Sequence, residues 1–268
     1  MTRTHDHLSA SSGALLSRLR IESPLVQCLT NTVTTNLVAN AVLAVGGSPA
    51  MVDIPGEAGV FAGTAGAVLI NVGTPSAEQR GAMIEAARAA SQAGTPWVLD
   101  PVGIGLPVRT DLVRELMSLR PTAIRGNASE IRALAGFGAS VRGVDATDAV
   151  DDAQDAAVEI AQSCGAVVAV SGTVDLVTDG TSMTRISNGT ELFTRITGAG
   201  CALGGVLAAF LAIGDDRLSA TTAACLAYTV AGELAAERAD LPGSFAVALL
   251  DSLGGLGAAQ LHERARLS

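Results

Sequence analysis

The chain has 268 residues, 49% of them apolar but only 3% aromatic, with a net charge of −9. That length carries a sizeable α/β core built mainly from Ala, Val, Leu and Gly, and the negative field disfavours nucleic acid and anionic membranes as partners. All 17 basic residues are arginine, so a lysine Schiff base, a Walker A lysine and a protein-kinase ATP lysine are excluded; phosphate must be met by arginine, backbone amides or metal.

The predicted elements alternate short apolar runs with longer helical patterns. Residues 1–20 have no sustained apolar core and no leader-peptide shape, and are read as a helical or poorly ordered N-terminal extension. "PLVQCLTN" (Pro24–Asn31) is a strand running into a loop, and "TTNLVANAVLAVGG" is a helix stopped by Gly46-Gly47. "AVLINVG" (Ala67–Gly73) is a buried strand. The next helix opens on the cap-like Ser76 and closes on Gly94. "PWVLDPVG" and "TAIRGN" are each a strand followed by a loop. "NASEIRALAG" starts a helix, with a cap and an acid in its first turn, and "AVVAVSG" is another buried strand. "VDLVTDG" and "MTRISNGT" alternate, with a turn signalled at Asn188-Gly189, and are read as an antiparallel edge hairpin. From Gly198 onward the pattern is almost entirely helical.

Strands separated by helices predict βαβ units and a mostly parallel sheet covered on both faces. No linker, charge run or fixed repeat divides the chain, so residues 1–268 are read as one domain. Cys28, Cys164, Cys201 and Cys225 are far apart, without C-x-x-C or a His partner at ligand spacing. Neither a zinc site nor a disulfide framework is expected, and a reducing cytoplasm is the default compartment. The uncharged run Gly198–Gly214, with Gly200 and Gly204 in a G-x-x-x-G, is shorter than the ~20 residues of a membrane span and is read as a buried core helix.

Ligands of open parallel sheets bind beyond the carboxyl ends of the strands. The residues at those ends are Thr30-Asn31, then Asp100 with Pro101 and Gly103, then Arg125-Gly126-Asn127 with Glu130 one turn on, then Ser171-Gly172. Asp100 fits either an Mg²⁺ ligand or a turn opener before proline. Arg125 fits either a planar fork for phosphate or a surface ion pair. Glu130 either orients a metal-bound water or stabilises its helix N-terminus. "TGAGC", the most specific element, is either an anion site at a helix start or a tight turn before a buried cysteine.

"PLVQCLTNTVTTNLVANAVLAVGGSPAMVDIP", "VLDPVGIG", "IRGNASEI", "VAVSG" and "ITGAGC" together resemble, in order, the motifs of the hydroxyethylthiazole kinase family, from about Pro24 to the C-terminal region. The resemblance implies a ribokinase-like three-layer α/β sandwich that phosphorylates 4-methyl-5-(2-hydroxyethyl)thiazole with ATP and Mg²⁺ in thiamin salvage. It also implies a homotrimer with active sites between subunits. By the same resemblance, Arg125, Ser171 and Asn127 bind ATP, and Met51 (from a neighbouring subunit), Gly198 and Asn31 contact the thiazole. Asp100 and Glu130 lie near the metal. Gly198, Ala199, Gly200 and Cys201 form the catalytic turn, with Cys201 beside the substrate hydroxyl. Ser171 stands where the family has threonine, and Leu106-Pro107 and Gly56 depart from its usual loop residues.

Two other classes stay open from the residues alone. One is a different enzyme on the same fold: a pyrimidine or sugar kinase, or an ATP-dependent hydratase, which usually carries aspartate at the position of Cys201. The other is a non-catalytic ligand-binding protein. The Cys201 thiol, ordinarily titrating near 8.5, is expected to be a part-time base at best and to act mainly by shape and a weak hydrogen bond.

Overall fold

The computed structural model describes residues 5–136 and 150–268. Its strands, in chain order, are β1 (Leu25–Leu29), β2 (Ser48–Ala50), β3 (Ala67–Asn71), β4 (Trp97–Asp100), β5 (Ala123–Asn127), β6 (Val167–Ser171), β7 (Asp175–Thr178) and β8 (Met183–Ile186). They form one sheet in the order β2-β1-β3-β4-β5-β6-β7-β8. The pairs from β2 to β6 are parallel, and β7 and β8 continue antiparallel.

The helices sort onto the two faces. One face is covered by α1 (His5–Glu22), α2 (Thr35–Val45), α8 (Ala199–Ile213), α9 (Arg217–Ala236) and α10 (Pro242–Gly255), with α11 (Ala258–Arg264) beside them. The other is covered by α3 (Ala58–Ala62), α4 (Ala77–Ala93), α5 (Pro107–Ser118), α6 (Ala128–Leu134) and α7 (Gln154–Cys164). Side chains along a strand alternate between faces. Ala67 and Leu69 therefore pack with the α8 side, and Val68 and Ile70 with the α4 side. With both faces buried, the strands read as continuous apolar runs, as parallel sheets do.

Local signals explain most boundaries. Helix α2 stops at Gly46, whose φ of 114° is left-handed. Helix α4 starts on a capping box between Ser76 and Gln79 and ends at Gly94. Leu106-Pro107 has a local cause, because Pro107 opens α5 where a missing N–H costs nothing. Helix α1 buries Leu16 and Leu19 completely and packs on α9 and α11. Strand β2 is one of the two edge strands, where a proline is tolerated, as at Pro49. Trp97, the one tryptophan, is buried on the α4 side and donates Nε1–H to Ser91 Oγ at 3.1 Å.

One expectation fails in detail. The edge hairpin exists, but its turn is 179–182, around Gly180, not Asn188-Gly189. Asn188 lies past β8, where its side chain ties Glu233 and the Arg264 carbonyl and accepts from the Arg266 N–H. Its polarity serves tertiary bonds, which local turn chemistry does not reveal. Among the described residues no single helix is long and apolar enough to cross a membrane. Helix α8, with its G-x-x-x-G, is buried along nearly its whole length.

Candidate active site

Alternation carries four polar residues onto one face at the carboxyl edge. In β3, Ala67, Leu69 and Asn71 face α8; in β4, Val98 and Asp100; in β5, Ala123 and Arg125; in β6, Val167, Ala169 and Ser171. Register aligns them, pairing Asn71 with Asp100. Asn71 donates Nδ2–H to Asp100 Oδ2 at 2.7 Å, and Arg125 Nη1 lies 3.6 Å from the same oxygen. Arg125 donates Nη2–H to Ser171 Oγ at 3.2 Å. Arg125 is thus buried in the row, not paired on the surface.

Helix α8 lies over this row, packed on β1, β3 and β4. Glycine makes the approach possible: a Cβ on Gly200 would meet the Arg125 guanidinium at 2.6 Å, and one on Gly204 would meet Leu69 at 2.9 Å. Gly198 caps the helix with φ 89°, and a Cβ there would meet Thr34 Cγ2 at 2.5 Å. The first backbone bond of α8 runs from Ala202 N–H to the Gly198 carbonyl. The amides of Ala199, Gly200 and Cys201 precede it and have no acceptor within the helix, a geometry suited to an anion. Tyr228 Oη–H donates to the Ala199 carbonyl at 2.8 Å and holds this turn from behind.

Electrostatics set the row apart from ordinary core. Burial, partly opposed by the Arg125 charge, pushes the Asp100 carboxyl up to about 7. Burial does the same to Asp175, again to about 7, against a hydrogen bond from the Gly172 N–H at 2.9 Å. The Cys201 thiol is raised by burial and then by Asp100, against the Arg125 charge and the amides of Asn71 and Asn31, so it is a thiol at neutral pH. Thr30 Oγ1, Thr34 Oγ1, Asp100 Oδ1 and Arg125 Nε are buried without a hydrogen-bond partner among the described residues. Orphan polar atoms of this kind cost about 1–3 kcal/mol each unless something polar meets them.

Glu130 closes a capping box with Asn127. Its Oε2 accepts from Asn127 N–H at 2.9 Å, while Asn127 Oδ1 accepts from Glu130 N–H at 2.9 Å. Its Oε1 accepts from Gly103 N–H at 3.3 Å, which ties the loop after β4 to α6. The helix-stabilising reading of Glu130 is therefore realised. Among the described residues, no three His, Cys, Asp or Glu side chains gather into a metal cage.

The hydroxyethylthiazole kinase family model matches residues 16–258. The chain belongs to the hydroxyethylthiazole kinase family. It is 55% identical over 259 residues to hydroxyethylthiazole kinase of Clavibacter sepedonicus, covering 96% of this chain and 94% of that one. It is 49% identical over 251 residues to the same-named protein of Tolumonas auensis, covering 92% and 94%. Hydroxyethylthiazole kinase protein from Pyrococcus horikoshii OT3 superposes with a TM-score of 0.89 at 36% identity, covering 96% of this chain and 98% of that one. An ADP complex of Bacillus subtilis pyridoxal kinase, 20% identical with a TM-score of 0.56 over 78% of this chain and 91% of that one, shares the ribokinase-like fold.

For this hydroxyethylthiazole kinase family member, the row brings together Asn31, Asp100, Arg125, Ser171 and the Gly198–Cys201 turn, with Asn127 and Glu130 just behind. Met51 follows β2, the neighbour of β1, so it lies on the Asn31 side of the row and four strands, or about 19 Å at ordinary strand spacing, from β5. Two residues escape the sequence reading. Asn71 hides as the last residue of an apolar run, and Asp175 hides in an alternating hairpin. The available signal was a polar residue on the buried phase of its strand.

Proposed function

We propose that this chain transfers the γ-phosphoryl group of ATP to the hydroxyl of 4-methyl-5-(2-hydroxyethyl)thiazole, a thiamin-salvage step. Family membership over 16–258, joined to a buried arginine–carboxylate row under the start of α8, carries this reading. Phosphoryl transfer asks a protein for positioning and charge, not covalent chemistry. Arg125 neutralises phosphate oxygens with its planar fork, and no lysine exists to share that work. Ser171 and Asn127 bind the nucleotide beside it. The amides from Gly198 to Cys201 meet the oxygens of the transferring group. Asn31 and Gly198 line the thiazole pocket, and Cys201 faces the alcohol by shape, since its thiol is too weakly acidic to serve as base.

The donor set suits Mg²⁺. Asp100 Oδ1 is buried without a partner, and Mg²⁺ takes one or two carboxylates together with phosphate oxygens and waters, not an all-protein cage. Asp100 would hold it, with Glu130 nearby; when bound, it supplies positive charge to the phosphates.

The active unit is a cytoplasmic homotrimer of single-domain chains. A trimer would bring Met51 of one chain to the thiazole of the next. A coupled assay of ADP release, with the thiazole alcohol and Mg²⁺ present, tests the activity; no alcohol-dependent ADP refutes it. Sedimentation showing a fully active monomer refutes the shared site.

A further inference from the structure

We infer that Asn71 is a positioning residue. Its amide ties the Asp100 carboxylate to the Asn31–Cys201 pair, so that the phosphate-facing and alcohol-facing halves of the site move as one. The inference rests on the kinase reading above and adds to it a residue outside the catalytic turn.

The reason starts with cost. Asn71 ends a strand whose other four residues are apolar, and it is completely buried. A buried amide is unfavourable unless its donors and acceptor are used. Here three bonds use it: Nδ2–H to Asp100 Oδ2 at 2.7 Å, and Oδ1 accepting from Asn31 Nδ2–H and from Gly73 N–H, both at 3.0 Å. These partners allow only one amide orientation. The Gly73 backbone N–H can only donate, so it requires the oxygen and leaves the NH₂ end for Asp100.

Asn31 carries the connection onward. Its Nδ2 donates one proton to Asn71 and the other to Cys201 Sγ at 3.3 Å. The backbone is shaped around this contact: a Cβ on Gly73 would fall 2.8 Å from Asn31 Cβ and 2.9 Å from its Nδ2. The sulfur is therefore located by two hydrogen-bonded amides, one from the loop after β1 and one from the end of β3, and not by α8 alone. The first amide in that chain also fixes Asp100. In-line transfer tolerates little slip, and a 1 Å error costs about 10²-fold.

The test compares Asn71→Ser, Asn31→Ser and the double variant in folded protein. Asn71→Ser should lower kcat about 10- to 100-fold and leave KM for ATP and for the alcohol within about threefold. In kcat, as distinct from KM for the alcohol, where loss of Asn31's own thiazole contact would show, the double variant should lose no more than about threefold beyond Asn71→Ser alone. The second readout needs no turnover: the rate of Cys201 alkylation by iodoacetamide at about pH 8, followed by peptide mass. Loss of a hydrogen bond donated to sulfur disfavours the thiolate, so alkylation should slow at least twofold in both single variants. A merely loosened core would expose the thiol and speed it. Normal kcat in a folded Asn71→Ser protein, losses that multiply in the double variant, or faster alkylation each overturns the inference. If Asn71→Ser does not fold, Asn71→Thr, which fills more of the space and still lacks the amide, decides by the same two readouts. A wild-type protein without turnover refutes the kinase reading, and the alkylation rates then decide the role of Asn71.

Discussion

The two halves of the polar row differ in chemistry although they lie under one helix. Over β4 to β7 stand ionisable groups: Asp100, Arg125 and Asp175, with Glu130 behind them. Over β1 and β3 stand neutral ones: Asn31, Asn71, Thr34 and the Cys201 thiol. In the proposed reaction, charge is thus concentrated where a phosphate would shift its own charge, and amides stand where an uncharged alcohol would need only to be held. Buried charge is unfavourable unless paired, while buried amides need only geometry. The division confines the expensive groups to the part of the site that an anion would stabilise.

The sharpest way to break this comparison is to remove the charge. Arg125→Ala should lower kcat/KM by ~10²-fold or more, the range of electrostatic groups at transferring charge. Arg125→Lys should recover only part, because the fork is lost. Steady-state kinetics with near-normal Arg125→Ala turnover would erase the distinction between the halves.

Changes in the neutral half should be milder. Cys201→Ala should keep activity within about tenfold of wild type, since shape and a weak hydrogen bond are all that is lost. Cys201→Asp should equal or exceed wild type: a carboxylate accepts the Asn31 proton and the alcohol proton better than a thiol does. A well-folded but inactive Cys201→Asp protein would show that Cys201 does not face the alcohol.

The smallest effect concerns stability. Asp175 is raised from 3.8 to about 7 by burial, so the folded protein holds this proton more tightly than the unfolded chain. Its stabilising contribution is complete below about pH 4 and is lost as pH rises toward 7. Asp175→Asn keeps an acceptor for Gly172 N–H and removes the ionisation. Its melting temperature should therefore exceed wild type by a few degrees at about pH 8, the gap closing near pH 4. A gap that does not change with pH, measured by calorimetry, would mean that Asp175 is not buried as a titrating acid.

Much of this was legible in the chain, for identifiable reasons. Parallel strands buried on both faces read as apolar runs, so the first polar residue after each run marks the binding edge; Asp100, Arg125 and Ser171 were found that way. Helices with both a cap and a glycine stop, such as α4, announced themselves. Asn71 did not, because an amide at the end of "AVLIN" looks like the run giving way to a loop. Only its pairing with Asp100 and Asn31, from strands distant in sequence, shows its use. Strand β2 was invisible because three residues containing Pro49 carry no period. The core role of α1 was hidden by its many polar positions, although Leu16 and Leu19 are fully buried. Asn188-Gly189 misled because local turn chemistry and a tertiary anchor use the same residue types.

Trp97 begins the strand that ends in Asp100, yet it points to the opposite face, about 10 Å along the strand from that carboxylate. Its indole is dry, fixed by Ser91 and surrounded by aliphatic side chains. The protein therefore contains a single indole fluorophore, tuned to the integrity of the α4-side core. Its emission should be blue-shifted in the native state, red-shift once on unfolding, and ignore occupancy across the sheet. Its melting curve then reports unfolding alone, and a nucleotide would show itself only as a shift of the midpoint.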